Sequence, residues 1–272
     1  MTDSTAPKRR IVVLISGSGT NLQALIDAQN TPALPDIEIS LVLSNRKAAY
    51  GLTRAAQANP PIRTAYLALQ PYLKANPGKT RDDYDAEVGK IVLKEKPDLV
   101  VLAGWMHVFG DGFLDLAYGV KSVEGERPVS SPIPVINLHP ALPGEFDGTN
   151  AIERAYEAFR EGKITRSGAM VHRVVKDVDR GEPLVVREIV FEKDDSLEAF
   201  EERLHKVEWE ILVKAAKNVL DEANCKLHHS TNPSMLTIVS LAEYNDENRE
   251  GFKTPAKMYY CVSVFMLSPA TM

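Results

Sequence analysis

Cysteine is scarce in this chain. Only Cys225 and Cys261 occur among 272 residues, both late and without metal-ligand spacing, so neither a disulfide framework nor a zinc site organises the fold. A reducing, cytoplasmic setting is expected, and no metal. Long apolar runs are missing too. No stretch approaches the ~20 residues of a membrane span, and residues 1–5 have no apolar core of signal-peptide length, so no membrane association is expected. Positive charge is in deficit. Lys and Arg total 32 against 37 Asp and Glu, for a net charge of -5, and the only basic run is Lys8-Arg9-Arg10, read as a solvated flank. Broad binding to nucleic acid is therefore not expected.

What is present is alternation. Strand-length apolar runs recur at 11–15, 37–43, 99–102, 135–138 and 169–175, with helical patterns between several of them, including 82–93 and 150–159. This predicts an α/β fold: a mostly parallel twisted sheet with helices on both faces. The clearest helix comes late, with Leu197, Phe200, Leu204, Val207, Ile211, Ala215 and Val219 stepping by three and four behind Asp195 and Glu198, spaced as a capping box. Residues 1–9 read as a flexible N-terminus, 10–224 as one domain and 225–272 as an extension. Within the domain, 120–134 is rich in charge, Ser and Pro and predicts an inserted, exposed loop. In the extension, 236–241 is strand-like and an apolar run follows at 259–266; neither carries a functional signal.

Three clusters carry chemistry. In Val135-Ile136-Asn137-Leu138-His139-Pro140, Asn137 and His139 stand at i and i+2 of a strand and share a face at its carboxyl end, where open α/β sheets bind ligands. An amide that donates to an oxyanion beside an imidazole that moves a proton suits acyl-type transfer. The first strand ends in Ser16-Gly17-Ser18-Gly19-Thr20-Asn21 and passes into a helical pattern, the context in which backbone N–H groups and a helix N-terminus hold a phosphate. A tight turn with an Asn cap is the plain alternative. A dinucleotide is disfavoured: the third glycine is missing, and the second strand ends in Ser44-Asn45-Arg46-Lys47 instead of an acid, which leaves NADP, met by Arg46 or Lys47, as a competitor. Finally, 176–183 is an acidic, Gly- and Pro-punctuated loop that reads as a hairpin turn or, catalytically, as the source of a carboxylate for His139, either Asp179 or Asp177. His172, on the preceding strand, reads as a satisfied buried histidine or a supporting partner.

In order along the chain, Ile15 to Gln23, Leu43 to Arg46, Val101 to Met106, Ile136 to Pro143 and Asp177 to Pro183 together resemble the glycinamide ribonucleotide formyltransferases, the folate-dependent enzymes of purine biosynthesis. The pattern Gly144-Glu145-Phe146-Asp147-Gly148 is most similar to the monofunctional fungal form. The resemblance spans roughly 11–220 and implies a Rossmann-like formyltransferase fold. It implies catalytic roles for Asn137, His139 and Asp179. Phosphate and ribose binding fall to Gly17, Ser18, Gly19, Thr20, Asn21 and Glu208, and folate binding to Met106, His107, Val108, Phe109, Asn137, Asp177 and Asp179. Two departures stand out: His107 where many members have Arg, and a 180–183 ending one residue longer than the common form.

The implied reaction is direct formyl transfer from 10-formyltetrahydrofolate, as co-substrate, to the amine of glycinamide ribonucleotide, with protonated His139 and Asn137 stabilising the oxyanion. Methionyl-tRNA formyltransferases and formyltetrahydrofolate hydrolases resemble the Asn-x-His strand equally, but no tRNA-binding or regulatory domain is legible. The expected partners are small molecules, and the expected state is a monomer or homodimer.

Overall fold

The computed structural model of the chain describes residues 8–125 and 127–231. The strand-like 236–241, the run 259–266, Cys261 and most of the expected flexible N-terminus lie outside the described residues. In chain order the elements are β1 (Arg9–Ile15), α1 (Thr20–Ala28), β2 (Ile37–Ser44), α2 (Tyr50–Gln57), β3 (Thr64–Tyr66), α3 (Leu69–Ala75) and α4 (Arg81–Leu93). There follow β4 (Leu99–Leu102), α5 (Asp111–Ala117), β5 (Val135–His139), α6 (Ala151–Arg160), β6 (Arg166–Arg173), β7 (Pro183–Val190) and α7 (Leu197–Thr231).

One sheet of seven strands, ordered β3-β2-β1-β4-β5-β6-β7, carries the fold. Strands β1 to β5 pair in parallel, while β6 and β7 are antiparallel additions at one edge. Alternate residues of β1 divide between two cores, as the two-residue period of a strand requires. Ile11, Val13 and Ile15 pack with Leu22 and Leu25 of α1, Ala155 of α6 and Phe200, Leu204 and Ile211 of α7. Val12 and Leu14 pack with Tyr84 and Val88 of α4 and Phe113 of α5. Helices on both faces leave β1 buried from Ile11 to Ile15, which is why it reads as an unbroken apolar run. From β1 the chain moves outward through β2 and β3 and returns on the other side as β4. The strand order therefore reverses between β1 and β4, the position where such sheets open a crevice at their carboxyl ends.

Several local expectations shift. β1 begins at Arg9, and Arg9 and Arg10 are not a free flank: Arg10 pairs with Glu95 at 3.1 Å and its N–H donates to Asp98 at 2.7 Å. α7 continues past the expected boundary at 224. β6 starts three residues before the apolar run at 169, because antiparallel pairing of Arg166 with Val190 needs no apolar side chain. The helix cap is Ser196, whose Oγ accepts from Ala199 N at 3.2 Å, and Asp195 instead accepts from Glu192 N at 2.7 Å and pairs with Arg203. The described residues of 120–134 are mostly exposed and connect α5 to β5, anchored by buried Ile133.

Candidate active site

Asn137 and His139 do share a face of β5, and both reach one carboxylate. Asp179 Oδ2 lies 3.4 Å from His139 Nδ1, and Asp179 Oδ1 accepts from Asn137 Nδ2 at 3.3 Å. The carboxylate arrives on the connection between β6 and β7, so 176–183 is a hairpin connection that also brings a carboxylate to His139. Asp179 holds a left-handed backbone at φ 54°, unusual for a residue other than glycine. Gly148 N donates to its Oδ2 at 2.9 Å. Asp177 is exposed, with no ion pair to His139, so Asp179 is the carboxylate the fold presents to the imidazole.

His172 stands opposite Asn137 in the β5–β6 pairing. Its Nδ1 is 2.8 Å from the Arg173 carbonyl, which only accepts, so Nδ1 carries a proton, and its Nε2 lies 3.2 Å from Asn137 Nδ2. The same Nε2 is 3.3 Å from Asp179 Oδ1. His172 is thus the supporting partner the sequence left open.

Electrostatics separates the two members of the His139–Asp179 pair. Burial pushes the imidazole below its ordinary 6.5; the Asp179 charge and the Glu145 backbone oppose this without overcoming it. His139 is therefore neutral at neutral pH in this state, contrary to the expectation of an imidazolium. For Asp179, burial raises the pKa, but hydrogen bonds from His172 and Gly148 and the nearby histidines outweigh it and hold the group below the usual carboxylate range. His139 Nε2 is buried and has no hydrogen-bond partner.

One strand away, a cleft of about 350 Å³ is lined by Ser16 to Asn21, Arg46, Ala103, Gly104 and Met106. It lies at the strand-order reversal. Gly19 caps α1 with φ 73°, and a Cβ there would come 2.5 Å from the Gly51 Cα of α2. Arg54 of α2 braces the same loop, Nε donating to Ser18 O at 2.9 Å and Nη1 to Gln23 Oε1 at 3.2 Å. Asn21 and Glu208 of α7 are hydrogen-bonded, and burial pushes the Glu208 carboxyl up to about 7. Arg46 is exposed beside this loop.

The segment after β4 alternates. Met106 and Val108 are exposed, while His107 and Phe109 turn inward, Phe109 stacking on Phe113 at 3.9 Å and His107 Nε2 meeting Asp85 at 2.6 Å. The expected ligand roles of His107 and Phe109 are thereby restricted to their backbone. Gly110 N donates to Asp85 at 2.7 Å, and Arg81 to Val108 O at 2.7 Å, so α4 fixes the segment. Across the site, Val175 and Val178 are also exposed. Sequence reading missed Ser16, Gly51, Arg54, Asp85 and Gly148. Ser16 and Gly148 lay inside motifs; the others become visible once the elements pack.

A model of the formyl transferase family matches residues 9–216. The chain belongs to that family. Phosphoribosylglycinamide formyltransferase of Schizosaccharomyces pombe is 47% identical over 215 residues, covering 78% of this chain and 97% of the relative. The Saccharomyces cerevisiae enzyme of the same name is 44% identical over 224 residues, covering 78% and 98%. Among solved structures, glycinamide ribonucleotide transformylase 1 from Symbiobacterium toebii superposes with a TM-score of 0.65 at 28% identity, covering 80% of this chain and 90% of that one. The formyl transferase fold expected of the sheet and helices is borne out, and the family matched leaves the NADP reductase reading without support.

Proposed function

We propose that this chain transfers the formyl group of 10-formyltetrahydrofolate to the amine of 5'-phosphoribosylglycinamide, giving formylglycinamide ribonucleotide and tetrahydrofolate in purine biosynthesis. One observation carries the reading: the Asn137–His139–Asp179 cluster and the glycine-loop cleft open at the same end of the sheet, one strand apart, since Asn137 pairs with Leu102 and the next residues, Ala103 and Gly104, line the cleft. A phosphate held at Gly17, Ser18, Gly19, Thr20 and Asn21, with Glu208 toward the ribose, brings the amine to the cluster and makes the attack effectively intramolecular. Exposed Met106, Val108, Val175 and Val178 offer apolar surface to the folate on either side.

The chemistry follows from the protonation states. The amine nitrogen bonds to the formyl carbon, the Asn137 amide donates to the developing oxyanion, and the carbon–N10 bond breaks. Neutral His139 takes the amine proton and returns it to N10, with Asp179 stabilising the imidazolium in between. In the present state Asn137 Nδ2 donates to Asp179 Oδ1 and lies 3.2 Å from His172 Nε2, so an N–H is redirected when the oxyanion forms. The transferase unit is proposed as 10–224, acting in the cytoplasm on small molecules. No helix among the described residues is long and apolar enough to cross a membrane.

The test is tetrahydrofolate release from 10-formyltetrahydrofolate with and without the ribonucleotide. Acceptor-dependent turnover is expected; acceptor-independent turnover would replace this reading with a hydrolase.

A further inference from the structure

Next to the catalytic carboxylate lies an ion pair that the chemistry above does not use. Arg180 Nη2 is 2.5 Å from Asp147 Oδ2, immediately beside the bond from Gly148 N to Asp179 Oδ2. Residues 147 and 148 thus meet residues 180 and 179 as two adjacent rungs between the segment after β5 and the β6–β7 connection. Both sides are conformationally costly. Phe146 and Asp179 have positive φ, at 49° and 54°, and persist only where neighbours over-determine them. On one side Arg154 of α6 does this, its Nη2 donating to Phe146 O at 2.5 Å and Asp147 O at 2.7 Å. On the other, Arg180 reaches across beside the Asp179 carboxylate, and it stands in the one-residue-longer ending noted in the sequence.

We propose that Arg180 and Asp147 form a latch that sets the Asp179 carboxylate against His139, making both positioning residues for the proton transfer. The proposal rests on the formyl-transfer reading for its kinetic consequence but not for its geometry. Arg180 is more than half exposed, so the pair contributes little to stability. Its effect is instead on the 3.4 Å His139–Asp179 separation.

The groups acting on the His139 charge are Asp179, His172 and Asp147, with the Glu145 backbone. This makes the sign of one substitution decisive. If Arg180 acted only through its charge, Arg180→Gln would remove a cation and raise the His139 pKa. If it acts as a latch, Asp179 moves away from the imidazole and the pKa falls.

The experiment is an NMR pH titration of the His139 ring in the ligand-free protein, wild type and Arg180→Gln, alongside kcat and KM for the ribonucleotide. A lowered His139 pKa is expected, with kcat down on the order of tenfold to a hundredfold, KM little changed, an unaltered melting temperature, and partial recovery in Arg180→Lys. A His139 pKa that rises or stays put overturns the latch. Absence of acceptor-dependent transfer in the wild type would overturn the functional reading alone, since the titration still decides the latch.

Discussion

Burial lowers the His139 pKa more than the Asp179 charge restores it, which supports the base role proposed for the imidazole. The pH dependence follows in sign. The proposed mechanism requires the unprotonated ring, so kcat/KM should fall as pH drops through a value below 6.5 and level off above it. A profile losing activity on the alkaline side near neutrality would instead demand an imidazolium. His139→Ala should reduce kcat by roughly 10²- to 10⁴-fold, and Asn137→Ala, which removes the oxyanion donor, by roughly 10²- to 10³-fold. In both, single-turnover measurements should place the loss in the chemical step, with ribonucleotide binding retained.

At the scale of elements, the glycine loop works because α1 and α2 touch through backbone. Gly19→Ala would force the new methyl against Gly51 and strain a left-handed φ, displacing the loop from the anion. We expect KM for the ribonucleotide to rise at least tenfold while KM for the folate changes little; equal changes in both would show a general loss of structure. The same scale explains what was readable beforehand. β1, β2, β4 and β5 were legible because parallel strands buried on both faces appear as apolar runs, and α4 and α7 because their periodicity is long. β7 was not, since it is an edge strand with only Val185 and Ile189 among its buried residues. Asn137 and His139 were legible from the strand's two-residue period. Their meeting with Asp179, where Asp177 was the alternative, depended on a hairpin whose shape no local spacing specifies. Gly51 and Asp85 act through contacts far along the chain.

For the whole molecule, Glu208 sets function against stability. Its carboxyl titrates near 7 folded and near 4.5 unfolded, so below about pH 4.5 it adds no cost, and as pH rises toward 7 folding must oppose its ionisation. The full penalty is about 3 kcal/mol above pH 7. Glu208→Gln should therefore raise the melting temperature at pH 8, leave it nearly unchanged at pH 4, and weaken ribonucleotide binding. Equal shifts at both pH values would remove ionisation as the cause.

Ser16 extends the same argument across the site. Its buried hydroxyl accepts from Met106 N at 2.7 Å and donates to Asn45 Oδ1 at 2.7 Å, while its neighbour Gly17 begins the anion loop. One oxygen thus joins the ground on which each substrate stands. Ser16→Ala should raise both KM values together, and titrating one ligand with the other present should reveal a coupling that is the same from either direction and that the variant diminishes. On that outcome the two substrates would be, through that atom, each other's effectors.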